Sequence, residues 1–134
     1  MKNIFKKKEI FKVKSVPIDP TKMGKPTTAD EFQHRGLAYY ARKQFEAAED
    51  DLKQSVLLDK SNLDSFYGLG MVLKAVNRKD EAVEAYNQVL KLIVDQPNSS
   101  KTKNDMLRRL ALGHINMMTL GDWNLEKEIW QRIE

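Results

Sequence analysis

The feature that most constrains this chain of 134 residues is an internal repeat with a period of 34 residues. When the sequence is shifted by that period, aromatic and small residues fall on residues of the same kind. The matching pairs are Phe32 and Phe66, Gly36 and Gly70, Ala41 and Ala75, and Ala48 and Ala82. Periods of about 20–50 residues are typical of proteins that stack copies of one supersecondary unit. We therefore expect stacked copies rather than a single irregular core.

Each copy is predicted to contain two helices. In the first copy, Thr28 followed three residues later by Glu31 is a capping-box signal, and apolar residues then recur at helical spacing. A break near Lys43 and Gln44 precedes a second amphipathic stretch. The same order returns in the second copy, so each copy is interpreted as one antiparallel helix hairpin.

Two glycines interrupt the third helical stretch, where each costs about 1 kcal/mol relative to alanine. Helices that cross at about 8–10 Å need small residues at the contact. The register of the repeat therefore predicts structural packing roles for Gly36, Ala48, Gly70 and Ala82, while Gly68 is left unexplained. A dinucleotide-binding loop is the alternative for Gly68 and Gly70. It fails because no predicted strand precedes the pair and the third glycine of the motif is missing.

The third unit departs from the strict period. A further shift by one period reaches Asn104 instead of a small residue, and Gly113 is the next candidate. Residues 95–105 are polar and are predicted to form a turn, after which a helix with a broad apolar face leads to a second turn at 121–123. We interpret the last part of the chain as a degenerate third hairpin. The predicted hairpins span residues 29–62, 63–96 and 104–134.

This pattern resembles the tetratricopeptide repeat (TPR) family, whose unit is a helix–turn–helix of about 34 residues. The residues that carry the resemblance are Phe32, Arg35, Gly36, Tyr39, Ala48 and Leu52, then Phe66, Leu69, Gly70, Leu73, Ala82 and Tyr86. The proline that usually ends the unit is replaced by Lys60 and Val94. The resemblance implies an all-α fold, a right-handed superhelical stack of antiparallel hairpins.

The resemblance also implies a function. Members of the family bind peptides or helices of partner proteins in a concave groove, which is lined by the first helix of each hairpin. The matching groove positions here are Gln33, Leu37, Tyr40, Tyr67, Met71, Lys74, Arg109, His114 and Met117. Leu37 and Met71 stand where members that clamp a carboxylate need polar groups, so an apolar and aromatic groove is expected. The alternative is that some of these side chains pack within the protein.

Catalytic constellations are missing from the sequence. The chain has no cysteine, and its two histidines, His34 and His114, fall on different predicted helices. No spacing of His, Asp and Glu matches a metal motif. The acidic runs EAAEDDL and RKDEAVEAY are interpreted as the polar faces of amphipathic helices. We therefore predict a non-catalytic scaffold or adaptor with no cofactor and no small-molecule substrate. A small subunit or an assembly factor of a larger complex is one form that such a protein takes.

Positive charge is concentrated at the N-terminus. Residues 1–28 contain eight lysines against two acidic residues, and the remaining residues carry a small negative net charge. Charge asymmetry of this kind indicates an interaction arm on a separate folded unit, residues 29–134. Prolines in the second half of the arm predict an extended backbone. The candidate arm residues are Ile4, Phe5, Lys6, Lys7, Lys8, Ile10, Phe11, Lys12 and Lys14.

Three roles for this basic arm remain open. In the first role the arm is solvated. In the second role it docks apolar side chains, either on its own domain or on a partner. In the third role it binds an anionic surface, of RNA or of a membrane, and this is the alternative function for the protein. Two Ile-Phe pairs favour docking, because an arm that acts by charge alone does not need them.

At the other end of the chain, Ile129, Trp130 and Ile133 lie close together on one face of the last predicted helix. Repeat domains usually end with a polar-faced capping helix. We therefore predict a second contact surface here, for a homo-oligomer or a larger complex, unless Trp130 is used inside the hairpin. The sequence shows neither a long apolar span nor a secretion signal, so a cytoplasmic protein is expected.

Overall fold

The computed structural model describes residues 18–96 and 100–123. Within these ranges the chain forms five α-helices and one 3-10 turn, and no strand. The helices are α1 (Ala29–Ala41), α2 (Phe45–Leu58), α3 (Leu63–Ala75), α4 (Lys79–Asp95) and α5 (Lys101–Leu120). Helices α1 and α2 pack as one hairpin, α3 and α4 as the next, and α5 packs on α4. The expected all-α stack of hairpins is confirmed.

Polar caps set where three of these helices begin. Thr28 accepts a hydrogen bond from the Glu31 backbone N–H at 3.2 Å, and Asn62 caps α3 in the same way. Ser100 caps α5 through the Lys103 backbone N–H at 3.4 Å. The expected turn over residues 95–105 is therefore wrong in its second half: with Ser100 as its cap, α5 begins three residues before 104.

The two hairpin turns have the same geometry. Lys43 and Asn77 lie one period apart and have φ values of 61° and 65°, in the left-handed region. Their backbone N–H groups donate to Tyr40 and Lys74, respectively. After α5, Gly121 adopts a φ of 80° as the residue that ends the helix. The repeated break in the sequence thus corresponds to a repeated reversal of the chain.

Small residues allow the helices of each hairpin to approach closely. The buried small residues at the crossings are Gly36, Ala48, Gly70 and Ala82. A Cβ at Gly36 would lie 2.9 Å from Leu52 Cγ, and one at Gly70 would lie 2.6 to 2.8 Å from three atoms of the Tyr86 ring. These separations are shorter than van der Waals contact, so a side chain at either position would displace its neighbour.

Gly68 has a comparable role that the repeat register does not explain. A Cβ there would lie 3.2 Å from both Leu37 and Leu52. Leu37 belongs to α1 and Leu52 to α2, so Gly68 packs against the preceding hairpin rather than its own. The two glycines of the GLG stretch at residues 68–70 therefore allow two different close contacts. Gly70 packs within its own hairpin, and Gly68 packs against the preceding one.

Buried polar groups also connect the helices. Asp51 is 5% exposed and accepts two hydrogen bonds from Arg35, at 2.7 and 2.8 Å. The interpretation of EAAEDDL as a solvated face is therefore wrong for Asp51, because its carboxylate points at Arg35 of α1. The Ser55 hydroxyl of α2 donates to the Ala29 carbonyl of α1 within the first hairpin, and it lies 2.6 Å from the Ser65 hydroxyl of α3, which belongs to the next hairpin.

The end of the basic arm packs on the first hairpin. Pro20 and Pro26 are buried, and the 3-10 turn at Pro20–Lys22 contacts α1. Asp19 lies 3.9 Å from Arg42, at the C-terminal end of α1. Residues 18–28 thus follow α1 back to the hairpin turn. The nine candidate arm residues between 4 and 14, and the C-terminal candidates Ile129, Trp130 and Ile133, lie outside the described residues.

The close approach at Gly70 generates a stability prediction. Gly70→Leu is expected to lower the free energy of unfolding by about 1–3 kcal/mol, because a buried aromatic ring must move aside. Gly24→Leu is the control, since no atom lies within 4 Å of the Cβ position at Gly24. Thermal melts followed by circular dichroism measure both. Equal melting temperatures for the two variants would contradict the packing account.

Candidate partner-binding groove

Side chains from three helices meet in what we call the aromatic cluster. It consists of Tyr67 and Lys74 of α3, Tyr86 of α4, His114 of α5 and Trp123 just after α5. Tyr67, Lys74 and His114 were predicted groove residues on two different repeats. The fold brings these three together, and each remains partly exposed.

His114 is the centre of the aromatic cluster. Its ring stacks on Tyr86 with centroids 4.9 Å apart and an interplanar angle of 11°. Trp123 makes an edge-on contact with the same ring, also at 4.9 Å, with an angle of 76°. Tyr67 adds a tilted contact at 5.9 Å. Aromatic pairs at such separations are worth about 0.5–1.5 kcal/mol beyond the area they bury, so the stack fixes α5 against α3 and α4.

Hydrogen bonds determine which nitrogen of His114 carries the proton. Lys74 Nζ lies 3.0 Å from Nδ1, and an ammonium group can only donate, so Nδ1 accepts. In a neutral imidazole the proton is then on Nε2, which lies 3.2 Å from the Tyr67 hydroxyl and donates to it. The chain from Lys74 through His114 to Tyr67 thus requires a neutral histidine.

The pKa values in the aromatic cluster shift as this arrangement requires. Burial, followed by the charge of Lys74, lowers the pKa of His114 below its usual value. Burial, followed by the nearby Tyr40 phenol, raises the pKa of Tyr67. Both shifts favour neutral rings. The side chains on this surface therefore present one fixed positive charge, on Lys74, within a neutral aromatic setting.

Tyr86 links the aromatic cluster to the core. Its side chain is fully buried, with one part of the ring against Gly70 and a face on His114. Its hydroxyl makes no hydrogen bond to any described residue, and burial strongly raises its pKa. A side chain at residue 70 would push the ring out of this position, so the glycine of the repeat signature also positions the stack.

The remaining groove candidates on α1 and α3 differ in how accessible they are. Tyr40 is half-buried, with its ring 5.8 Å from that of Phe45, and Met71 is half-buried on α3. Leu37 is half-buried beside Gly68. Gln33 is only 8% exposed, so its assignment to the groove surface is wrong. It lies one turn before Leu37 on α1.

On α5 the predicted residues separate onto different faces. Met117 is 42% exposed, one turn beyond His114. Arg109 is five residues before His114, about 140° around a helix with 3.6 residues per turn. It lines a separate cleft with Thr102 and Met106. Arg109 is therefore not part of the surface that carries His114.

Two members of the aromatic cluster were missed as site residues. From the sequence, Tyr86 was named only as a residue of the repeat signature. The signal for a further role was an aromatic side chain placed where two helices cross at a glycine. Trp123 was assigned to a turn. Its ring lies directly against Gly113, and its carbonyl accepts a hydrogen bond from Asn116 at 3.1 Å. The small residue at 113 was the signal that a bulky side chain approaches α5.

Two kinds of feature are absent from the part of the chain that the structure describes. Residues 18–96 and 100–123 contain no group of three or more His, Cys, Asp or Glu side chains that could hold a metal ion. None of the helices in these ranges combines the length and the apolarity that crossing a bilayer requires.

The bonding of His114 predicts a pH dependence. Because its pKa is lower in the folded than in the unfolded state, the unfolded chain binds more protons just below pH 6.5. Stability should therefore fall as the pH decreases from 6.5 towards the folded pKa, and should level off above 6.5. Urea unfolding at a series of pH values measures this for the parent, for His114→Phe and for the exposed-site control His34→Phe. His114→Phe should lack the loss of stability below pH 6.5, and His34→Phe should keep it.

Identical pH profiles for all three proteins would contradict the assignment of this pH dependence to His114.

Comparison with known proteins agrees with this architecture. A family model described as Tetratricopeptide repeat matches residues 23–62 and 63–93, which is more than half of the chain. A solved structure titled "Crystal structure of MamA" aligns with 81% of this chain, at a TM-score of 0.51 and 22% identity. The chain spans 63% of that MamA chain, and at this identity the likeness concerns the fold alone. No curated protein sequence matches. Since the family model covers both copies of the repeat, the chain belongs to the tetratricopeptide repeat family.

Proposed function

We propose that the surface formed by α1, α3 and α5 binds a peptide or helix of a partner protein. Tetratricopeptide repeats indicate a scaffold for protein–protein interaction in general, and members of the family are generally not catalytic. The observation that carries the proposal is the meeting of Tyr67, Lys74 and His114, which come from two repeats. We call this surface, with Tyr40, Met71 and Met117 beside the three, the groove.

The chemistry of the groove supports an amphipathic partner. Tyrosine rings offer large rigid contact areas, and Met71 and Met117 can adapt their shape to an apolar side chain. Lys74 has three donor N–H groups, of which His114 accepts one. The groove therefore fits an apolar side chain that lies next to a hydrogen-bond acceptor, such as a carbonyl or a carboxylate.

Met71→Lys tests this proposal with little risk to the fold, because Met71 is only half-buried. A lysine there places a second positive charge in the groove and removes an apolar contact. Leu57→Lys is the matched control, since Leu57 is 66% exposed on α2, which is a second helix of a hairpin. Circular dichroism should show equal helicity for both variants.

Partner binding is measured by capture from the source cells with quantitative mass spectrometry, then by titration of the purified partner. Met71→Lys is expected to weaken binding by at least about tenfold, or 1.4 kcal/mol, as expected for an interface position near a hot spot. Leu57→Lys should bind like the parent. If Met71→Lys binds as the parent does, or if both variants lose binding equally, the partner does not use the groove.

A further inference from the structure

A second open surface lies on the first hairpin, away from the groove. It is a cleft of about 450 Å³ between the end of the basic arm and the start of α2. Three of its lining side chains, Tyr39, Phe45 and Ala47, are partly buried and form an apolar floor. Glu46 and Asp50 are exposed and complete its acidic edge, with Thr21 and Gln44 beside them. We call this the arm cleft.

The two carboxylates of the arm cleft have no cationic partner within residues 18–96 and 100–123. The neighbouring basic residues are Arg42, which pairs with Asp19, and Lys43 in the hairpin turn. By contrast, Glu49, one residue before Asp50, pairs with Lys53 and Arg78. The cleft thus combines an apolar floor with two unpaired negative charges. This combination fits a segment that carries lysines next to apolar side chains.

The second repeat shows that this combination is specific to the first. One period later, Glu46 and Asp50 correspond to Asp80 and Glu84, so the acidic pair is repeated. The floor is not repeated, because Phe45 corresponds to Lys79 and Ala47 to Glu81. The acidic pair alone therefore does not make the cleft. Of the first two repeats, only the first combines the acidic pair with an apolar floor, and this floor lies beside the end of the basic arm.

The chain itself contains a segment of the required chemistry, and the residues that connect this segment to the arm cleft are few. Thr21 lines the cleft, and the described chain begins three residues earlier, at Ile18. Residues 1–17 contain six lysines against one glutamate, together with the pairs Ile4–Phe5 and Ile10–Phe11. Phe11 is seven residues from Ile18, and a fully extended chain of that length spans at most about 25 Å. The tether therefore allows the second Ile-Phe pair to reach the cleft.

We propose that residues 4–14 of the same molecule dock in the arm cleft. The Ile10–Phe11 pair lies on the floor of Tyr39, Phe45 and Ala47, and the neighbouring lysines pair with Glu46 and Asp50. A docked arm covers the apolar floor of the cleft, which is otherwise open to solvent. It also holds the lysines against the domain instead of presenting them to solvent. This docking is independent of partner binding in the groove.

Paramagnetic broadening in the full chain tests the docking. The chain has no cysteine, so a nitroxide attached to Lys8→Cys is the only label. Amide signals of residues 44–50 should broaden, and those of residues 106–110, in the cleft that Arg109 lines, should not. In a mixture of labelled unenriched chain and unlabelled nitrogen-15 chain, broadening should be absent. No broadening at 44–50, stronger broadening at 106–110, or similar broadening in the mixture would overturn the proposal, the last because a second copy then supplies the arm.

Charge reversal separates docking in the cleft from general attraction to acidic helices. Glu46→Lys with Asp50→Lys should reduce the broadening at residues 44–50 by at least half. The matched control is Asp80→Lys with Glu84→Lys, which makes the same charge change at the same repeat positions. It should leave the broadening unchanged, and dispersed amide spectra establish that both variants are folded. An equal reduction in the two variants, or none in the first, would overturn the proposal.

Discussion

The ring of Tyr86 lies between a glycine of its own hairpin and a histidine of the next helix, and the shape of the groove depends on this position. Gly70 leaves the space that the ring occupies, and His114 stacks on the ring at 4.9 Å. That stack in turn places His114 where Lys74 and Tyr67 reach its two nitrogens. A packing contact inside one repeat thus determines the polar surface formed between two repeats.

The contacts between repeats differ along the stack. The first and second hairpins meet through Gly68, Leu37 and the paired hydroxyls of Ser55 and Ser65. The second hairpin and α5 meet through the aromatic cluster. A repeat contacts only its neighbours, so each of these interfaces can be altered separately. The second interface keeps partly exposed polar groups, which is why we propose that it contributes to partner binding, whereas the hydroxyls of Ser55 and Ser65 in the first interface are buried.

The period of the sequence was sufficient to predict the first two hairpins and their turns, because repeated small residues report directly on helix crossings. Side-chain orientation was less accessible. Gln33 and Asp51 are polar residues on amphipathic helices, and their burial depends on neighbours from other helices. The role of Gly68 depends on Leu37 and Leu52 of the preceding hairpin, which a single-repeat pattern does not contain. Trp123 packs on Gly113 and His114 of α5, in a unit that departs from the strict period, so the repeat offers no matching position for it. The start of α5 was misjudged because a capping serine lies within a polar stretch.

Hydrogen exchange of the backbone amides in a Tyr86→Leu variant tests most directly whether Tyr86 couples α5 to the second hairpin. Leucine leaves space beside Gly70 and removes the stack on His114, so protection of the α5 amides at residues 101–120 should fall by at least about tenfold, or 1.4 kcal/mol. Amides of α1 should change much less, since the rings that contact Tyr86 belong to α3 and α5. Unchanged protection in α5, or an equal loss in α1 and α5, would contradict the account.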